Sequence, residues 1–304
     1  MFASGGALTP MAFSSIFSPR TAAERDSNFE TYFEFSKRLS GDLIETDRDL
    51  TIKRARLKYF QDHAVRSRQP LADPESFYRN YVELIDDPKR LDRKTLLLCC
   101  IYKFARHELV GITGAWDAVR PISRARNTIE KITRYHLAEE FCHVRFFHEM
   151  FRTMRLDRVA WKPLGPFMGT MYRLIPYLPD ALLDAPAFVT ELMGIVFYRH
   201  LDTALDDILA DEPEARDRIR DLLHEIMVDE LAHVGQRRNF IGPMGIRYAR
   251  MLVGPLFRSF FRDIPEVKFI FNIDQMVSDG LAFNYTGIAS SIVEKSWIPS
   301  YCQP

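Results

Sequence analysis

Apolar residues recur three or four positions apart along most of the chain, the spacing that gathers them on one face of an α-helix. Alternating Val, Ile and Thr runs closed by Asn-Gly or Asp-Gly are missing, so strands are expected to be few. The periodicity predicts helices near residues 24–40, 49–66, 75–86, 92–118, 122–156, 186–210, 213–240 and 245–262. Pro and Gly punctuate the gaps, notably at Pro121, in WKPLGP at 161–166, in IPYLPD at 175–180, at Pro186 and Pro213, and in GPMG at 242–245. The four longest helices come as two, then a Pro-rich connection of about thirty residues, then two more. That is the order of a four-helix bundle with one long crossover, here with additional helices at both ends. The expected fold class is therefore all-α. Residues 1–23 read as a flexible N-terminal arm. Residues 24–304 read as a single helical domain whose bundle spans about 92–240.

Composition narrows the function. Lys+Arg and Asp+Glu are both 41, so the net charge is zero, which argues against a nucleic-acid binder relying on bulk positive charge. Hydrophobic residues at 47% and charged residues at 27% allow a real core and exclude disorder for the bulk of the chain. Cys99, Cys100, Cys142 and Cys302 have no disulfide-framework spacing and read as buried thiols of a reducing compartment. The first residues do not read as a signal peptide. The apolar run TLLLCCIYKFA at 95–105 is far short of the ~20 residues a spanning helix needs. A soluble cytoplasmic protein with no membrane span is expected. The stretch YARMLVGPLFRSFF at 248–261 has the make-up to touch a membrane surface but is read as an ordinary buried helix.

A repeat carries the chemistry. Glu108-Leu109-Val110-Gly111-Ile112 recurs as Glu191-Leu192-Met193-Gly194-Ile195, and Glu140-Phe141-Cys142-His143-Val144 recurs as Glu230-Leu231-Ala232-His233-Val234. Each half reads ELxGI and then ExxHV, which points to a duplicated helix pair. The second half spaces the two motifs seven residues further apart, two helical turns, so the second Glu keeps its face. Residues i and i+3 share a helix face, so Glu140 with His143, and Glu230 with His233, each point a carboxylate and an imidazole at one place. Glu108 and Glu191 add one carboxylate from each remaining helix. Four carboxylates are neutralised by two divalent cations, which makes their burial tolerable. Mixed oxygen and nitrogen donors suit iron, with manganese as the alternative. One ExxH arises easily by chance; two, each preceded by ELxGI, do not.

The pattern Glu…ExxH…Glu…ExxH, over roughly residues 92–240, resembles the ferritin-like di-iron superfamily of oxygenases, desaturases, ribonucleotide reductase subunits and ferroxidases. The resemblance implies a ferritin-like four-helix bundle with two iron ions held by Glu108, Glu140, His143, Glu191, Glu230 and His233. It also implies that the acidic residue before each paired Glu, here Glu139 and Asp229, holds the opposite His through its free ring nitrogen. Within the superfamily, the length and layout look most like the p-aminobenzoate N-oxygenase group. That group has a third His seven residues before the second ExxH His, where this chain has Ile226. The pseudo-symmetric position in the first half is His136, a candidate for a seventh ligand, a substrate contact, a proton shuttle or a core His bonded to a carbonyl.

The expected activity is that of an O2-activating di-iron oxygenase or oxidase, hydroxylating or N-oxygenating a small organic substrate, with a biosynthetic role. Phe104, Ile112, Ile195, Tyr198 and Ile226 are expected to line a dry pocket. Gly111 and Gly194 are expected to leave room beside the metals or to allow close helix contact. There is no GxGxxG, so an external electron donor is expected. A desaturase acting on a carrier-bound acyl substrate is the alternative. A non-redox metal hydrolase using Glu139 or Asp229 as base, and a metal-free helical scaffold, are further alternatives. A homodimer is one admissible assembly. His107 is expected at the surface or behind the ligands, and Arg237 and Arg238 at a solvated helix end or on an acidic substrate or carrier.

Overall fold

Most of the long helices begin where the sequence supplies a partner for their first free N–H groups. Thr21 and Glu24 form a reciprocal capping box at the start of α1 (Ala22–Ser40). Asp92 caps α4 (Arg93–Ala118) and Asn127 caps α5 (Thr128–Thr153). Pro213 and Pro243, which lack the N–H a first turn leaves unused, open α8 (Pro213–Phe240) and α9 (Pro243–Arg262). The computed structural model describes residues 13–69 and 71–303, and these are all-helical apart from one short hairpin. The other helices are α2 (Thr51–Asp62), α3 (Pro74–Asn80), α6 (Pro166–Leu174), α7 (Asp180–Ile208), α10 (Val267–Ile270), α11 (Ile273–Leu281) and α12 (Ser290–Val293). The hairpin pairs β1 (Leu43–Ile44) antiparallel with β2 (Asp49–Leu50), Leu43 facing Leu50.

The eight expected helices are all present, with edges shifted. Helix α5 starts at Thr128 rather than 122, because residues 122–124 form a 3-10 turn and Asn127 supplies the cap. Helix α7 starts at Asp180, so Pro186 lies inside it rather than before it. A proline in the second turn forfeits one backbone bond, and the buried Phe188 and Val189 just beyond it anchor the turn in the core. The Pro-rich connection is not structureless: it holds α6, whose Tyr172 ring lies over Gly111.

Four long helices pack together. Helix α4 runs antiparallel to α5, with Arg134 bonded to the Trp116 carbonyl. Helix α7 runs antiparallel to α8, with Arg220 bonded to Asp202. The two pairs meet along α5 and α8. Helix α1 lies across α5 and α8, α2 lies on α5, and α9 lies along α7. Helix α7 is long and apolar enough to cross a membrane by length and composition, but over half of that stretch is buried inside the protein. The four cysteines are free and buried.

Of the expected flexible arm, residues 1–12 lie outside the described residues, and residues 16–18 pack on the helical domain. Ile16 is fully buried and its N–H donates to the Phe283 carbonyl. The buried Arg238 guanidinium donates to the carbonyls of Ile16, Ser18 and Ile241. At the other end the chain returns to α1 and α8: Trp297 packs edge-on against Tyr32, and Pro299 presses on Gly235. A Cβ at Gly235 would stand 2.7 Å from the Pro299 ring. Gly235→Ala is therefore expected to lift the C-terminal segment at a cost of about 1–3 kcal/mol, read as a lower urea midpoint with an unchanged slope.

Candidate metal centre

The two ExxH motifs come face to face because α5 and α8 run antiparallel. Two groups of donor atoms result: His136, Glu140, Glu191 and His233 form one, and Glu140, His143 and Glu230 form the other, each with its donor atoms within 4.8 Å of one another. Glu140 belongs to both. Its Oε1 lies 3.0 Å from His233 Nδ1 and 3.2 Å from His136 Nε2, while its Oε2 lies 3.4 Å from His143 Nδ1. Glu230 Oε1 lies 3.1 Å from His143 Nδ1, and Glu191 Oε1 lies 3.3 Å from His136 Nε2. The His136 ring stacks on the His233 ring with centroids 3.7 Å apart. The first half of the chain therefore supplies a third imidazole beside Glu191, although Glu191 belongs to the second half.

Glu108 lies outside both groups. The Tyr198 hydroxyl donates to its Oε1, and its Oε2 is buried without a partner. The Nδ1 atoms of His143 and His233 are also buried and make no hydrogen bond, despite the carboxylates around them. Buried polar atoms are nearly always satisfied, so orphans gathered at one place mark a site shaped for something else. These atoms, with the Glu and His donors around them, fit a pair of divalent cations.

The opposite ring nitrogens are fully committed. His143 Nε2 lies 2.9 Å from Asp229 Oδ2, and His233 Nε2 lies 2.9 Å from Glu139 Oε2. The carboxylate before each paired Glu thus reaches across to the His of the other helix. Both carboxylates are themselves held. Lys53 of α2 donates to Asp229 Oδ1 at 2.7 Å, and Ser36 and Ser40 of α1 both donate to Glu139 Oε1 at 2.6 Å. Such bonds fix which ring nitrogen is free to ligate.

Charge in the centre is not balanced by side chains alone. Burial, and then the charges of Glu140 and Glu230, raise the Glu108 carboxyl well above its usual range. Burial and the Glu140 charge push Glu230 up to about 8. Burial opposes charge on both imidazoles, but the Glu140 charge and the Asp229 bond hold His143 well above its usual value, and the Glu139 bond does so for His233. Burial also opposes the charge on Asp229, yet Lys53 and His143 pull it down to about 2.

A cavity of about 340 Å³ opens beside the two groups. Phe104, Gly111, Ile112 and Gly194 line it, as expected from the sequence. Ile195, Tyr198 and Ile226 do not. Ile195 is one residue beyond Gly194 and turns about 100° into the core. Tyr198 stands behind Glu108, and Ile226 is fully buried among apolar side chains. A Cβ at Gly194 would stand 3.2 Å from Glu230 Oε2, so this glycine makes room for a carboxylate as well as for the cavity.

Several polar residues of the site have no motif to announce them. His107 is buried, faces the cavity and bonds the Tyr172 hydroxyl at 3.1 Å; burial and then Arg106 lower it to about 4, so it is neutral at pH 7. Arg237 lines the cavity with its Nε 3.6 Å from Glu191 Oε1, rather than ending in solvent. Lys53, Ser36 and Ser40 come from helices far away in sequence, and only the fold brings them in. Comparisons of the chain with family models, curated proteins and solved structures give no match.

A metal requires bare carboxylates and bare Nδ1 atoms, whereas burial and neighbouring charges raise Glu108 and Glu230, and the surrounding carboxylates raise His143 and His233, toward their protonated forms. Metal uptake is therefore expected to release protons, and affinity for Fe(II) or Mn(II) to rise with pH up to about pH 8, where Glu230 gives up its proton. Titrations across that range check this; an affinity independent of pH would count against protonated ligands.

Proposed function

We propose that the chain is a ferritin-like bundle that holds two iron ions and activates O2 to oxidise a small organic substrate. The observation that carries this reading is Glu140, whose two oxygens face two separate groups of His and Glu donors. A carboxylate so placed suits two ions a short distance apart. The residues supporting one ion are Glu140, His143 and Glu230, with Glu108 beside them. Those supporting the other are His136, Glu140, Glu191 and His233. When bound, a pair of Fe(II) ions supplies the electrons for O2 chemistry that no side chain can.

The chain's own residues do the rest. Asp229 and Glu139 hold the imidazoles so that their Nδ1 atoms face inward. Tyr198 orients Glu108 by its hydroxyl. Phe104, Ile112, Met193 and Phe260 exclude water from most of the cavity, whose size suits a compact substrate. An electron donor comes from outside the chain. A hydrolase is a poorer fit, because it needs a spare base beside the metal. Glu139 is occupied by His233, Ser36 and Ser40, and Asp229 by His143 and Lys53.

Protein purified under reducing, iron-replete conditions is expected to carry about two irons per chain and to develop a ligand-to-metal absorption band when air is admitted. Protein without metal under those conditions, or zinc protein that is catalytically competent, overturns the reading. Glu140→Ala removes the shared carboxylate and is expected to abolish most iron binding; full occupancy in this variant and in Glu230→Ala contradicts the site. His136→Ala is expected to lower iron to about one per chain, since it strips one group only. Unchanged iron and turnover would return His136 to a packing role.

A further inference from the structure

The segment closing the cavity has a second, outward face. Tyr172, Ile175 and Leu183 line the cavity from α6 and the start of α7. On the other side of the same segment Phe167, Leu174, Tyr177, Leu178 and Leu182 project into solvent, Phe167 78% exposed and Tyr177 71%. No residue of α6 is buried. The first half of α9 behaves in the same way: Ala249 and Val253 are buried, while Met244, Tyr248 and Met251 point outward, Met244 79% exposed and Met251 75%. The α7 part of this segment adjoins α9. Phe17 packs edge-on against Phe188 of α7, and the Arg250 guanidinium of α9 sits 5.6 Å over the same Phe17 ring. Projecting aromatic and aliphatic side chains on this scale are unusual on a protein that stays wholly in water.

Charge says what covers this face. The chain as a whole is neutral, yet residues 158–179 and 241–262 contain no Asp or Glu. Lys162, Arg173, Arg247 and Arg250 are exposed there. None of these four meets a carboxylate among the described residues, in contrast to Arg258 further along α9, which pairs with Asp274. Asp157 and Asp263 bound these two stretches, and Asp180 and Asp184 stand at the start of α7. Apolar side chains standing among unpaired cations match the interface of an anionic bilayer, where the former enter the acyl boundary and the latter meet headgroup phosphates. A second copy of the chain fits less well, because a twofold contact would set these cations against each other.

We propose that the face built by α6, the start of α7 and the first half of α9 docks on an anionic lipid surface. Docking there sets the outer wall of the cavity against the lipid. The docking itself is independent of the metal; only the corollary, that an apolar substrate enters the cavity from the lipid phase, rests on the oxygenase reading.

The test is flotation of the full chain with vesicles of phosphatidylcholine alone and with about 30% phosphatidylglycerol added. Binding is expected with the anionic vesicles, weakened by salt. It is expected to fall at least about tenfold in the double variant Phe167→Ser, Tyr177→Ser and likewise in Arg247→Glu, Arg250→Glu. All four positions are exposed, so circular dichroism, melting temperature and metal content are expected to stay as in the parent. The iron-poor Glu140→Ala protein is expected to float as the parent does, which separates docking from the metal reading. The proposal is overturned if the parent fails to float, if it floats equally without phosphatidylglycerol, or if either double variant floats as well as the parent. It is also overturned if the parent sediments as a dimer that the same substitutions dissociate, since a second copy then owns the face.

Discussion

Mutual repulsion among buried carboxylates is the constraint around which this protein is built. Glu108, Glu140, Glu191 and Glu230 converge from four helices in the interior, and such a group is tolerable only if something positive joins it. Protonated imidazoles and protonated carboxyls serve in part, which is why Glu108 and Glu230 hold their protons so tightly. That arrangement leaves the Nδ1 atoms of His143 and His233 and one Glu108 oxygen unsatisfied. Divalent cations would relieve both problems together, by neutralising the carboxylates and by giving each orphan atom a partner.

The surrounding layers make sense as supports for that centre. Helices α5 and α8 exchange carboxylates: Asp229 steadies His143, and Glu139 steadies His233. Helices α1 and α2 lie outside the four long helices, and their contributions are small but specific. Ser36, Ser40 and Lys53 satisfy the outer oxygens of those two carboxylates, so no charge of the outer ring is left unpaired. Arg238 then ties residues 16–18 to the end of α8, and the C-terminal segment fills the space that Gly235 leaves. The terminal segments thus brace the outside of the helix that carries one ExxH motif.

The cavity side is built differently. Its wall is α6 and the start of α7, a Pro-rich stretch that packs on α4 through Tyr172, lines the cavity with Ile175 and Leu183, and turns its other large apolar residues outward. One wall of the cavity is therefore a thin layer with apolar residues on both sides, unlike the thick packing around the His and Glu donors. Arg237 and the neutral His107, with the side chains of Thr133, Tyr172 and Thr190, add polar groups to its lining beside the donors themselves.

Periodicity and repeated motifs determined the all-helical class, the positions of the long helices, and the pairing of Glu140 with His143 and of Glu230 with His233. They could do so because helix geometry is local: three residues apart is one face, whatever surrounds it. The role of Glu139 and Asp229, one residue before each motif, was implied by the resemblance to di-iron bundles rather than by spacing, since neighbours in a helix point about 100° apart. Local geometry could not place Ile195, Tyr198 and Ile226, because whether a buried side chain faces a cavity or a neighbour depends on helix packing rather than on helix phase. Nor could it decide the role of His136, which is set by the approach of α7 and by stacking on a ring 97 residues away in sequence. Lys53, Ser36 and Ser40 carry no signal at all in the chain, since a hydrogen bond between distant helices leaves no spacing to read. Sequence fixed which side chains face together along each helix; tertiary packing alone decided which helices meet, which atoms were left without partners, and where the cavity opened between them.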